Sequence, residues 1–201
     1  MSRKERDMKI LFASNEIAPF SKAGGLADVM GSLPKYLEKD AEIAMFTPLH
    51  GFIDKEKYGI KELPNSDLWI TFGWQPQKFN LFMGKLPGTD INVFFVKNDW
   101  YFSCFQEVYP KWLDTRYEHE RYVAFSLAIM EYAKLLNFRA DIIHANDWHT
   151  AMLPLYLHSN YKFDEFWSKT KCVFEIHNLA YQGVWLNDII DFANMRKDIV
   201  Y

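Results

Sequence analysis

Short apolar runs alternate with stretches of helical period along most of this chain, and that alternation restricts the fold more than any other feature. Residues 8–14, MKILFAS, are a brief apolar run bounded by polar residues, the pattern of a buried strand. Past a glycine pair, Leu26, Val29, Met30, Leu33 and Leu37 recur at the spacing that lines one face of a helix. Pro34 falls inside that pattern; it lacks an N–H and crowds the preceding turn, so a kink or restart is expected there. AEIAMFTP at 41–48 reads as a second strand. Farther on, Tyr122, Phe125, Ile129, Tyr132 and Leu136 mark an amphipathic helix over about 116–137. A strand (ADIIHAN, 140–146), a helix (HTAMLPLYLHS) and a strand (KCVFEIH, from 171) follow it.

That order is the signature of a parallel α/β fold. The expectation is a Rossmann-like, open, mainly parallel sheet with helices on both faces, built by residues 1–201 as one domain. Residues 68–96 depart from it: LWITFGW, KFNLFMG and INVFFV are strand-like runs split by the turn-rich QPQ and LPGTD, an inserted β-meander. Residues 98–115 are rich in aromatics without a clean period and read as loop or short helix.

A formal charge of −3 speaks against a nucleic-acid partner, which calls for a basic excess. Cys104 and Cys172 form no CxxC pair and read as reduced thiols rather than a disulfide scaffold. No run approaches the length of a membrane span, and the charged first residues lack a signal-type apolar stretch, so a cytoplasmic location and no membrane partner are expected.

In open α/β sheets ligands bind beyond the carboxyl ends of the strands, and three polar clusters fall there. In SNEIAPFSKAGGLAD, Lys22 precedes Gly24 and Gly25 at a helix start, where free N–H groups, the helix dipole and a lysine suit a phosphate, above all a leaving diphosphate. Neither GxGxxG nor a Walker loop is present, and a plain strand-to-helix turn is the competing reading. Asp28 either complements the dipole or holds sugar hydroxyls, a base or a lysine. In HANDWH, His144, Asp147 and His149 lack metal-ligand spacing, so no metal is expected. Asp147 reads instead as an acceptor for hydroxyls, and Trp148 as core or as a stacking face. In EIHNLAYQG, His177 closes an apolar strand, and Glu175 within that strand needs either a raised pKa or a partner, which the sequence does not identify.

Together, KAGGLADVMGSLPKYL, HANDWHTAMLPLYL and HNLAYQG resemble, in order, three blocks of the bacterial glycogen synthase and plant starch synthase family. The resemblance covers nearly the whole chain, least through residues 50–115. It implies the N-terminal half of a GT-B glycosyltransferase, a retaining enzyme that moves glucose from ADP-glucose to the non-reducing end of an α-1,4-glucan without metal or cofactor. Carried over by position, Lys22, Gly24 and Gly25 face the sugar-nucleotide phosphates and Asp28 matches the motif's acid. His177 lies near the transferred glucose, with Asn178, Tyr181 and Gln182 on its loop, and Asp147 and His149 line the cleft. The aromatic stretch from Trp100 to Trp112 would face glucan. This sequence departs from the family at YFSCFQEVYP, where an Asp-Arg-Pro-Gly type segment is usual, and at Glu175, where a small residue is usual. The family's C-terminal domain, which supplies further phosphate-binding cations and the base pocket, is the implied partner, and the chain alone is expected to be inactive. Another GT-B nucleotide-sugar transferase and a non-catalytic glucan-binding module are the alternatives.

Overall fold

The computed structural model describes residues 8–72, 75–184 and 189–195. Strand β1 (Met8–Ala13) leads into helix α1 (Gly25–Leu37), which returns to β2 (Ala41–Pro48). The two-residue β3 (Lys61–Glu62), β4 (Leu68–Phe72), β5 (Gln75–Lys85) and β6 (Asn92–Lys97) follow. After a wide π-type turn at Asp99–Ser103 come α2 (Thr115–Leu135), β7 (Ile142–Asn146), α3 (Met152–His158), β8 (Lys171–Glu175) and the short α4 (Ile189–Phe192).

The strands form one sheet in the order β3-β5-β6-β2-β1-β7-β8, with β4 also pairing with β5. From β6 to β8 every neighbouring pair is parallel. Numbered among themselves, these parallel strands run 3-2-1-4-5, so the chain reverses its direction of winding between β1 and β7. Strands β4, β5 and β6 make the expected antiparallel meander, which extends the sheet at one edge. One boundary differs: QPQ is not a turn but the start of β5, where Gln75, Pro76 and Gln77 pair with β4.

Alternation along the strands builds two cores. Leu11, Ala13, Ala44 and Phe46 face a cluster that includes Phe125, Ile129 and Tyr132 of α2 and Leu153 of α3. Their neighbours Ile10, Phe12, Ile43 and Met45 face the other way, onto Leu26 and Met30 of α1. Helices therefore cover both faces, as a parallel sheet requires. Helix α2 is buried more completely than an amphipathic stripe predicts, because residues 122–126 are all inaccessible. Pro34 causes no restart. Helix α1 is continuous to Leu37, and the proline sits in its last turn, where a missing N–H forfeits a single intrahelical bond.

Candidate active site at the β1–β7 switch point

The loops leaving β1, β7 and β8 meet at the carboxyl edge of the sheet, where the winding reverses. They enclose a cleft of about 620 Å³ whose walls include Glu16, Gly24, Gly25, Tyr109, Glu118, Asp147, Trp148, His149, His177, Asn178 and Tyr181. A stretch after β1 and two that lie more than a hundred residues farther along the chain thus share one site, as the sheet topology requires.

The glycine loop is not the vacant anion cradle that the sequence implies. Glu16, which is 2% exposed, has one carboxylate oxygen on the N–H of Ala23 at 2.5 Å and of Gly24 at 2.8 Å. Its other oxygen accepts the Tyr109 hydroxyl at 2.6 Å. Burial, and then the nearby Tyr122 and Glu16, push the Tyr109 phenol well above its ordinary range, so it remains a donor. An internal carboxylate therefore occupies the positive end of α1. The signal for it in the sequence is slight: one acid in a stretch of small and apolar residues, which had to find donors.

Lys22 and Asp28 are paired with each other. The ammonium contacts both carboxylate oxygens, at 2.6 and 2.8 Å, and both side chains are more than half exposed. Asp28 lies in the first turn of α1 and also pairs with a lysine, which is compatible with both its dipole reading and its lysine-orienting one. Neither residue is part of the cleft wall, whereas Gly24 and Gly25 are.

Asp147 ends β7 with φ 62° and ψ 176°, a region that side chains other than glycine rarely enter. Its N–H donates to the Glu175 carbonyl at 2.8 Å, and its carbonyl accepts from the Thr150 N–H and hydroxyl, both at 3.0 Å. These bonds turn the chain sharply and leave the carboxyl in the cleft. Burial raises its pKa, opposed by the backbone N–H groups of Trp148 and His177. Trp148 serves both readings, since it is buried against Tyr122, with ring centroids 4.9 Å apart, and still forms cleft wall.

His149 also lines the cleft but is 2% exposed, and neither ring nitrogen has a hydrogen-bond partner among the described residues. Burial, reinforced by the Arg121 charge and by His50, keeps it neutral far below its usual pKa. It acts as a wall, packed on Trp148, Tyr122 and Tyr109.

His177 donates from Nε2 toward Asn146 Oδ1 at 3.0 Å. Glu175 finds its partners here: Oε2 lies 3.5 Å from His144 Nε2 and 3.8 Å from His177 Nε2. On the same loop Asn178 turns inward and caps the N–H groups of Ala180 and Tyr181. Gln182 instead folds back onto the Leu179 carbonyl and is not part of the cleft wall. Gly183, at φ 58°, lies so close to Trp148 that a Cβ there would sit 2.3 Å from the indole ring. Only glycine lets the loop close down on that ring. The aromatic stretch divides: Tyr109 reaches the cleft, Tyr101, Phe102 and Phe105 are core, and Trp100 and Trp112 are exposed.

The model of the starch synthase catalytic domain family matches residues 9–200. The chain belongs to that family. It is 41% identical over 199 residues to the glycogen synthase of Thermotoga maritima and 37% identical over 197 residues to that of Bacillus subtilis. These alignments cover 96% and 95% of this chain but 40% and 38% of the relatives, so the chain spans about two fifths of their length. Among solved structures, the catalytic domain of starch synthase IV from Arabidopsis thaliana, bound to ADP and acarbose, superposes with a TM-score of 0.75 at 24% identity. That match covers 88% of this chain and 35% of the plant one, and it supports the GT-B fold assignment.

Proposed function

We propose that this chain supplies one domain, the N-terminal one, of a two-domain glycogen synthase that transfers glucose from ADP-glucose to the non-reducing end of an α-1,4-glucan. The observation that carries the reading is the meeting of the Gly24–Gly25 helix start, Asp147 and His177 around one cleft at the switch point. Family membership supports it, as do the ADP and acarbose bound by the plant neighbour, a nucleotide and a sugar ligand in one catalytic domain.

In this reading the leaving diphosphate lies against the open face of Gly24 and Gly25, beside the Glu16 carboxylate that already takes the N–H groups of Ala23 and Gly24. Its developing charge is met chiefly by cations brought to that face. Lys22 swings to it from Asp28, at little cost because that ion pair is exposed. His177 and Asn178 face the transferred sugar, and Asp147 accepts from its hydroxyls. The cleft wall includes Glu16, Glu118 and Asp147 but no lysine or arginine among the described residues. Most of the positive charge for a diphosphate must then come from the partner domain. Both cysteines are free thiols, which suits a reducing cytoplasm.

The test is reconstitution. The chain is mixed with the C-terminal domain of a relative, and glucose transfer from ADP-glucose to maltooligosaccharide is followed, with Lys22→Ala and His177→Ala alongside. The chain alone is expected to be silent, since the loss of one oxyanion donor typically costs about 10²–10³ in rate and here most are missing. The mixture should transfer, and both substitutions should abolish it. A folded mixture that binds glucan without transfer would favour the binding-module reading.

A further inference from the structure

Behind His177, the ends of β7 and β8 carry a polar network whose geometry favours one proton position on each of two histidines. Asn146 is the hub. Its side-chain nitrogen lies 3.1 Å from the Ala13 carbonyl, 3.0 Å from the His144 carbonyl and 3.1 Å from His144 Nδ1. Carbonyl oxygens only accept, so the amide nitrogen must face them and Oδ1 must face His177. An oxygen at 3.0 Å from His177 Nε2 requires a proton on that nitrogen. The amide nitrogen cannot accept, so a proton on His144 Nδ1 would only oppose the amide protons beside it, which places the proton of neutral His144 on Nε2 as well.

Both Nε2 atoms then face one carboxylate oxygen, Glu175 Oε2, at 3.5 and 3.8 Å. Those distances are long for hydrogen bonds, so Glu175 acts through charge. A carboxylate oxygen favours Nε2–H on each ring and disfavours the alternative tautomer, whose Nε2 lone pair would oppose it. The His144 ring cannot easily turn away, because it is stacked on Phe12 with centroids 4.7 Å apart.

We propose that Glu175 is a positioning residue: its charge deepens the preference for Nε2–H that Asn146 sets at His177, leaving Nδ1 of that ring a hydrogen-bond acceptor. The consequence for catalysis rests on the transfer reading, but the state of the ring does not. Burial lowers the pKa of His144, and Glu175 is the largest influence that opposes this. Removing the carboxylate charge must therefore lower the His144 titration midpoint further.

The experiment is imidazole ¹⁵N spectroscopy of the full 201-residue chain, wild type against Glu175→Gln and Glu175→Leu, with Glu175→Thr should the leucine variant fail to fold. Wild type should show Nε2–H on both rings at neutral pH. The leucine or threonine variant should raise the share of the Nδ1–H tautomer at His177 above wild type, and the glutamine variant, which keeps the shape but not the charge, should do the same. The His144 midpoint should fall in all variants. A wild-type His177 protonated on Nδ1, a tautomer ratio unmoved by the leucine or threonine change, or an unmoved His144 midpoint would each overturn the proposal. In the reconstituted mixture the leucine variant should lose about tenfold or more in kcat, with KM held within about twofold. The spectra need no sugar nucleotide, so a failure of transfer in the wild type would count against the synthase reading alone.

Discussion

Two carboxylates stand on opposite rims of the cleft and are held in opposite ways. Glu16, on the β1–α1 rim, is almost inaccessible and takes three short hydrogen bonds from donors held by the fold around them: two backbone N–H groups and a half-buried phenol. Glu175, on the β7–β8 rim, has a side chain 39% exposed and meets its two histidines only at charge-contact distance. Directed hydrogen bonds in a dry setting fix a backbone, whereas a half-solvated charge biases proton positions and little else. The first rim is a brace and the second is a tuning device.

The largest expected effect follows from the brace. Glu16→Leu deprives the N–H groups of Ala23 and Gly24 and the Tyr109 hydroxyl of their acceptor at once. Ala23 and Gly24 are exposed, so their N–H groups can turn to water, whereas the half-buried phenol loses its acceptor; with a buried carboxylate also removed, a loss of about 2 kcal/mol is expected in urea unfolding. Glu175→Leu in the same assay should change stability by less than about 1 kcal/mol. Equal losses would break the comparison.

Acid should separate the rims next. Beneath the first rim, His50 hydrogen-bonds the Asn15 carbonyl at 3.2 Å and is held neutral, its pKa lowered from 6.5 to about 3 by burial and by the Arg121 charge. The unfolded chain takes up that proton near pH 6.5 and the folded chain only near pH 3, so the unfolded state binds more protons across that window. Stability is therefore fully present above about pH 6.5 and falls on acidification, by up to about 1.4 kcal/mol per pH unit from this residue. His149 acts in the same direction. His50→Phe should flatten the slope of unfolding free energy between pH 6 and 5, and an unchanged slope would place the acid sensitivity elsewhere.

What the sequence disclosed and withheld follows the range of the interactions. The strands were legible because alternation and apolar runs are local: β2 coincides with AEIAMFTP, and β1, β7 and β8 lie within the runs that announced them. The topology then gathers the three motif loops without further information. Glu16 was missed because one of its partners, Tyr109, lies 93 positions away, and because a carboxylate on a glycine loop contradicts the expectation of a bound anion there. Glu175 was noticed as an acid in need of a partner, but the charge contacts with His144 and His177 exist only once β7 and β8 pair in register. QPQ was mistaken for a turn because its proline sits in the segment of β5 that pairs with β4 alone, an edge where a missing donor is tolerated.

The smallest effect on stability, and the sharpest on function, is expected at Asp147. Its φ of 62° with ψ of 176° is a conformation natural to glycine and costs other residues about 1–3 kcal/mol. The strain is carried by the backbone bonds to the Glu175 carbonyl and from Thr150, none of which involves the Asp147 side chain. Asp147→Gly keeps every one of those bonds and relieves the strain, but it removes the carboxyl that faces the Trp148 and His177 N–H groups, and the greater freedom of glycine in the unfolded chain returns up to about 1 kcal/mol of the gain. Unfolding free energy should therefore stay within about 1 kcal/mol of wild type, while transfer in the reconstituted mixture should collapse with the loss of the cleft carboxyl. A destabilised variant would mean that the carboxyl itself holds the turn, which would make the second rim a brace like the first. A stable, fully active variant would remove Asp147 from the site. Stability retained and activity lost is the signature of a residue whose awkward geometry is maintained by its surroundings for what its side chain does in the cleft.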